Sequence, residues 1–107
     1  IEISYPAGRD HALGGEASEI DRGHPALAQL QSAIGSAMAG RGALEGAPFW
    51  SEKSFFTNRL GIPAVYCAPG DIRNCHTFEE RVSVEEYLAG VVAFAGFIAS
   101  YCGVEDQ

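Results

Sequence analysis

The distribution of apolar and polar residues along the chain predicts a short series of strands and helices. Residues 1–5 alternate apolar and polar side chains and stop at Pro6, which predicts a strand with one solvent-exposed face. Residues 7–23 are rich in glycine and charge, which predicts a linker. A single strand before a linker needs sheet partners from elsewhere, so a domain boundary is expected here.

The first helical pattern begins at His24, with Pro25 at the first helical position. Apolar residues then recur at spacings of three and four, which predicts one buried stripe on this helix. The members of the stripe are Leu27, Leu30, Ile34 and Met38. The glycines at positions 40 and 42 predict the end of the helix.

The middle of the chain predicts a brief strand in residues 43–50 and then a short helix. Ser51 is a suitable N-cap, Glu52 suits the positive end of the helix dipole, and Gly61 suits the C-terminal end. Residues 62–67 are almost continuously apolar, which is typical of a strand covered on both faces.

The last helix has the strongest signals. Ser83 and Glu86 have the spacing of a capping box, and the following residues are apolar on nearly all sides until Gly103. The order of elements predicts an α/β fold in which helices pack on a mixed sheet. One firm inner strand cannot form a sheet alone, so partner strands are expected outside this chain.

Composition and charge narrow the possible functions. The chain has 107 residues, which suits one domain, and a net charge of −7, which disfavours nucleic acid and anionic membranes as partners. We identify neither an apolar run of membrane-spanning length nor a signal peptide. The three cysteines form no disulfide pattern, so reduced thiols in a cytoplasmic protein are expected, with Cys67 and Cys102 as small core residues.

The candidate chemistry lies in the polar loop after the predicted inner strand, because α/β folds bind ligands at the carboxyl ends of strands. Gly70 allows close approach of a ligand, and His76 is a candidate metal ligand. A nearby carboxylate could fix the tautomer of this imidazole. The three candidates are Asp71, Glu79 and Glu80. From spacing alone, a loop histidine that is merely hydrogen-bonded to a carboxylate remains an alternative.

These residues resemble the C-terminal end of a family of co-catalytic zinc hydrolases. The stretch Gly-Ile-Pro-Ala-Val-Tyr-Cys-Ala-Pro-Gly at positions 61–70, then His76, then Glu80 four residues later, looks like the ending of these enzymes. The family includes acetylornithine deacetylase, succinyl-diaminopimelate desuccinylase, aminoacylase and carboxypeptidase G. The resemblance covers about residues 24–103, and Ala68, Cys75 and Glu52 depart from the usual residues.

The resemblance implies roles for particular parts of the chain. Residues 1–6 would be the last strand of an inserted lid domain, 7–23 a linker, and 24–107 the C-terminal portion of the catalytic domain. His76 would bind one of two zinc ions, or Co²⁺ or Mn²⁺ in their place. The backbone of Ala68, Pro69 and Gly70 would line the substrate pocket, and Glu80 would support the metal site.

The same resemblance implies that most of the active site lies outside this chain. In the family, the His-x-Asp motif, the bridging Asp and the Glu-Glu base pair lie upstream of the segment that this chain resembles, and the chain contains no His-x-Asp, so no catalytic residue is assigned here. We therefore expect a C-terminal fragment that needs the remainder of the enzyme, forms a homodimer through the lid, and is inactive alone. The substrate would be an N-acyl amino acid or a small peptide, of unspecified acyl group.

Two alternatives remain open at this level. The chain could be a non-catalytic α/β binding module, in which His76 binds no metal. It could also be one subunit of a split enzyme whose other ligands lie on a second polypeptide.

Overall fold

The computed structural model describes residues 16–49 and 51–104. Within these residues the chain divides into two compact units. One unit contains residues 22–46 and 67–104, and the other contains residues 16–21, 47–49 and 51–66. The predicted strand at residues 1–5 and most of the predicted linker lie outside the described residues, so the predicted domain boundaries remain predictions.

The first helix, α1, spans Pro25–Ala37 and confirms the helix predicted from His24 and Pro25. The Nδ1 atom of His24 accepts a hydrogen bond from the backbone N–H of Ala26 at 3.3 Å, so this histidine caps the helix. After α1 the chain turns back, and the side-chain amide of Gln31 donates to the carbonyl of Gly42 at 2.9 Å. This bond fixes the returning segment against the helix.

The second helix, α2, spans Val84–Cys102 and packs against α1 in the same unit. The hydroxyl of Ser83 accepts a hydrogen bond from the backbone N–H of Glu86 at 3.0 Å, as the capping box predicts. The Glu86 carboxylate forms an ion pair with Arg41, which joins the segment after α1 to the first turn of α2. The buried apolar side chains are few among the described residues: Leu27, Leu30 and Ala93.

Most of the apolar surface of α2 is exposed. Six large apolar side chains on α2 have more than half of their surface accessible to solvent: Val84, Tyr87, Leu88, Val91, Val92 and Ile98. The helix is also long and apolar enough to cross a membrane by length and composition, a test that the core helix of a soluble protein passes too. In this respect the expectation that no segment reaches membrane-spanning length was wrong.

The other unit is built around a short helical segment and two aromatic side chains. Ser51 accepts a hydrogen bond from the backbone N–H of Lys53 at 3.1 Å, and a π-helical turn follows at Phe55–Arg59. The Lys53 ammonium donates to the carbonyl and hydroxyl of Ser18 at 3.0 and 2.9 Å. The rings of Phe49 and Tyr66 lie 4.8 Å apart between centroids.

The predicted α/β fold with a mixed sheet is wrong for the part of the chain that the structure describes, which is helical and contains no strand. Residues 62–67, predicted as the inner strand, are irregular, as are the described residues of the predicted brief strand at 43–50. The physical reason is that a strand requires a neighbouring strand to pair its backbone N–H and C=O groups. The described residues supply no such neighbour, so a continuous apolar run did not by itself produce a strand.

Candidate functional site

The turn formed by Ala68, Pro69 and Gly70, predicted to line a substrate pocket, rests on α2. A methyl group added at Gly90 would lie 3.5 Å from the Cδ and Cγ atoms of Pro69, so the missing side chain at this position lets the turn approach the helix closely. Gly70 has a φ of 98°, in the region that favours glycine, and faces the side chain of Val82. Ala68 and Pro69 are exposed, and Gly70 is half-buried.

An exposed ion pair between Asp71 and Arg73 follows this turn. Asp71 caps a 3-10 turn at Ile72–Asn74 by accepting a hydrogen bond from the backbone N–H of Arg73 at 2.9 Å. The Nε atom of Arg73 also donates to both carboxylate oxygens of Asp71 at 2.9 Å. The hydrogen bonds from the Arg73 side chain and backbone lower the pKa of Asp71 to about 2.

His76 lies directly after this turn and has an unusual backbone. Its φ is 60°, and it is the one residue other than glycine with a positive φ among the described residues. Its side chain is exposed, and its ring makes no hydrogen bond within the part of the chain described. The residue is therefore accessible to a ligand from solvent.

The structure distinguishes the three carboxylates that the sequence offered as partners of His76. Asp71 pairs with Arg73, and Glu79 pairs with Arg81 at 3.0 Å. The carboxylate of Glu80 accepts a hydrogen bond from the backbone N–H of His76 at 3.3 Å. Glu80 therefore contacts His76 through the main chain and not through the imidazole, and its predicted role in supporting a metal site remains a prediction.

The side chains available as metal ligands decide how well a metal ion fits this loop. Over residues 16–49 and 51–104, no three His, Cys, Asp or Glu side chains are grouped so that they could hold a metal ion. An exposed imidazole without a protein partner is suited to supply one ligand, and a co-catalytic zinc centre needs several more. His24 caps α1, and His11 lies outside the described residues. The predicted metal role of His76 remains a prediction.

The cysteines differ in their exposure. Cys67 is half-buried, and this burial raises the pKa of its thiol. Cys75, beside His76, and Cys102, in the last turn of α2, are exposed. The interpretation of Cys102 as a core residue was therefore wrong: the apolar stripe that contains it is itself largely uncovered.

Sequence reasoning missed the left-handed conformation of His76 and the ion pair between Asp71 and Arg73. The pairing of Asp71 with Arg73 had a signal in the sequence, because an Asp at the start of a turn often accepts a hydrogen bond from the backbone N–H two residues later. The left-handed conformation of His76 had no such signal, because it depends on how the whole loop closes.

The chain is similar to the N-formyl-4-amino-5-aminomethyl-2-methylpyrimidine deformylase of Bacillus subtilis, with 28% identity over 91 residues. The matched stretch covers 85% of this chain and 21% of the deformylase, so the chain spans only that fraction of its relative. Because only 16 of the 107 positions fall outside a stretch of 91, the match includes the loop with His76.

No protein-family model matches the chain, and comparison with solved structures gave no match. The similarity to a deformylase agrees with a hydrolase of some kind. The narrower family of zinc peptidases and deacylases stays a prediction.

Proposed function

We propose that this chain forms part of a metal-dependent amide hydrolase in which His76 supplies one metal ligand. The observation that carries the proposal is the similarity to a deformylase, because the matched stretch includes the loop in which His76 presents an exposed, unpaired imidazole. The substrate class is an N-acyl amino acid or small peptide. The name of the relative extends this class to N-formylated amines.

Each part of the loop has a role in this proposal. The imidazole of His76 would hold a divalent ion, zinc or else Co²⁺ or Mn²⁺, and Glu80 holds the main chain of His76. The backbone of Ala68, Pro69 and Gly70 lies along the bound substrate, anchored on α2. With a metal pair bound, the site would gain an activated water as nucleophile and Lewis-acid polarisation of the amide carbonyl.

The remaining ligands and the general base belong to further residues of a longer enzyme. The large exposed apolar side chains of α2 support this part of the proposal, since a soluble protein rarely leaves such a contiguous surface uncovered. Phe78, two residues beyond His76, is fully exposed as well. In the proposal these side chains are covered by the rest of the enzyme, which forms a homodimer in the cytoplasm.

The test compares His76→Ala with His24→Ala in the protein encoded by the complete open reading frame. His24 is a suitable control because its imidazole, in a half-buried residue, is already used to cap α1. We expect His76→Ala to lose about one zinc ion per active site and at least about 100-fold in amide hydrolysis, because removing a ligand disrupts the site. His24→Ala should retain both.

Two results would contradict the proposal. One is unchanged zinc content and hydrolysis in His76→Ala, which would favour the non-catalytic binding module. The other is measurable hydrolysis of N-acetyl or N-formyl substrates by the purified 107-residue chain alone. Mass spectrometry of the native assembly would identify a split enzyme by detecting a second polypeptide.

A further inference from the structure

The backbone of His76 is strained. A φ of 60° places this residue in the left-handed region, where a side chain crowds the neighbouring carbonyl. Histidine tolerates this region better than branched residues, but the conformation persists only where surrounding contacts enforce it. The residue that carries the candidate ligand is therefore the residue whose conformation most needs support.

The contacts around His76 close the loop on both sides of it. Before it, the N–H of Cys75 donates to the carbonyl of Ile72 at 3.1 Å. After it, the hydroxyl of Thr77 donates to the carbonyl of Asn74 at 2.8 Å, and the N–H of Glu80 donates to the carbonyl of Thr77 at 3.2 Å. These bonds bring the side chain of Glu80 back towards the backbone of residue 76.

The carboxylate of Glu80 makes the contact that acts on the strained residue itself. One of its oxygens, Oε2, accepts a hydrogen bond from the backbone N–H of His76, with 3.3 Å between nitrogen and oxygen. The neighbouring acids cannot substitute for it, because Asp71 and Glu79 are each engaged by an arginine. A hydrogen bond to an ionised acceptor is stronger than one between neutral groups, although exposure to water weakens it here.

We propose that Glu80 is a positioning residue that acts on His76 through the main chain. By holding the N–H of residue 76, it maintains the left-handed conformation and so fixes the direction in which the imidazole leaves the loop. Rotation about φ swings the Cβ atom, so relaxation to a negative φ would point the ring elsewhere. Metal ligands must lie within about 0.2 Å of their ideal distances, so this direction matters for binding. The inference rests on the proposed function only in taking the imidazole of His76 to be a metal ligand.

The first test needs no metal and uses the isotopically labelled chain in NMR experiments. Backbone ¹³C and ¹⁵N chemical shifts should report a left-handed residue 76 in the wild type. Glu80→Ala should shift them towards an average of conformations, whereas Glu80→Gln, which keeps an acceptor oxygen, should resemble the wild type. Glu79→Ala is the matched control, because it removes a neighbouring exposed carboxylate that pairs with Arg81. Circular dichroism confirms that all variants retain their helices.

A second measurement separates action on the main chain from action on the ring. The ring ¹⁵N shifts of His76 report its tautomer, which should be the same in Glu80→Ala as in the wild type. A changed tautomer with unchanged backbone shifts would mean that Glu80 acts on the imidazole, and would overturn the inference. Wild-type shifts typical of a negative φ at residue 76 would overturn it equally.

A third measurement adds Zn²⁺ alone to the same samples and follows the His76 ring. We expect Glu80→Ala to weaken binding about fivefold, as loss of one hydrogen bond implies, and Glu79→Ala to leave it nearly unchanged. Equal weakening in both variants would mean a general effect of negative charge and would count against the inference. If Zn²⁺ fails to perturb the ring in this chain and in the full-length protein, the proposed function fails while the backbone result still stands.

Discussion

Replacement of Gly90 by alanine tests how the candidate turn is seated on α2. Glycine in a helix interior destabilises by about 0.5–1 kcal/mol relative to alanine, so the substitution should stabilise the chain by that amount. The new methyl group would also meet three carbon atoms of Pro69 at 3.5–3.7 Å, which is ordinary van der Waals contact. At about 0.1–0.2 kcal/mol per atom pair, these contacts raise the expected gain to about 1–1.5 kcal/mol.

The matched control is Gly96→Ala on the same helix. There the nearest atom to the added methyl group is the Cβ of Ala33 at 4.0 Å, so we expect the propensity gain alone, about 0.5–1 kcal/mol. Urea denaturation followed by circular dichroism, with thermal melts, measures both variants, and each kcal/mol should raise Tm by about 4–8 °C. Pro69→Ala in the Gly90→Ala background should remove the difference between the two gains.

Larger side chains extend the test. Gly90→Leu must push Pro69 away and should destabilise relative to Gly96→Leu by about 1 kcal/mol or more. If the proposed function holds, the same change in the full-length protein should also raise KM, because the proposed substrate site would contain a displaced turn. If Gly90→Ala destabilises while Gly96→Ala stabilises, or if Gly90→Leu behaves like Gly96→Leu, Pro69 does not rest on the helix as described.

Three further predictions concern the loop and the caps of the same unit. Gly42→Ala should destabilise the chain by at least about 2 kcal/mol, because the φ of residue 42 is 98° and the added Cβ would lie 2.8 Å from the backbone oxygen of Gln31. Gly46→Ala, with open space around the added methyl group, should not destabilise it. The denaturation midpoints of the two variants test this difference. Ser83→Ala removes the N-cap of α2 and should lose about 1 kcal/mol in the same assay, and an unchanged midpoint would refute the cap. The pKa of Asp71 is lowered from 3.8 to about 2, so its ion pair favours the folded chain at higher pH and is lost as pH falls through that interval. Arg73→Gln should return this pKa towards its ordinary value in an NMR titration, and an unmoved pKa would contradict the assigned cause.

The exposed apolar surface of α2 affects how all of these measurements are made. A helix with this many uncovered large side chains is prone to self-association at high concentration. Sedimentation measurements at each working concentration therefore belong with the stability data, since association would raise apparent midpoints by mass action.

Local signals in the sequence predicted where the two long helices begin. His24 with Pro25 and Ser83 with Glu86 predicted where α1 and α2 begin, and the structure confirms both starts. These predictions succeeded because caps and helical periodicity involve residues within one turn of each other. The position of His76 in an exposed loop beyond the turn at Pro69 was likewise visible in the sequence.

Contacts between distant segments decided the rest. The apolar run at residues 62–67 has the composition of a strand, yet a strand exists only where another segment pairs with it, and the described residues provide none. The contact of Pro69 with α2, the ion pair of Arg41 with Glu86, and the left-handed His76 held by Glu80 depend on how the chain folds back on itself. Tertiary structure alone could therefore assign Glu80 to the main chain of His76, because sequence spacing does not distinguish a backbone N–H from a ring nitrogen.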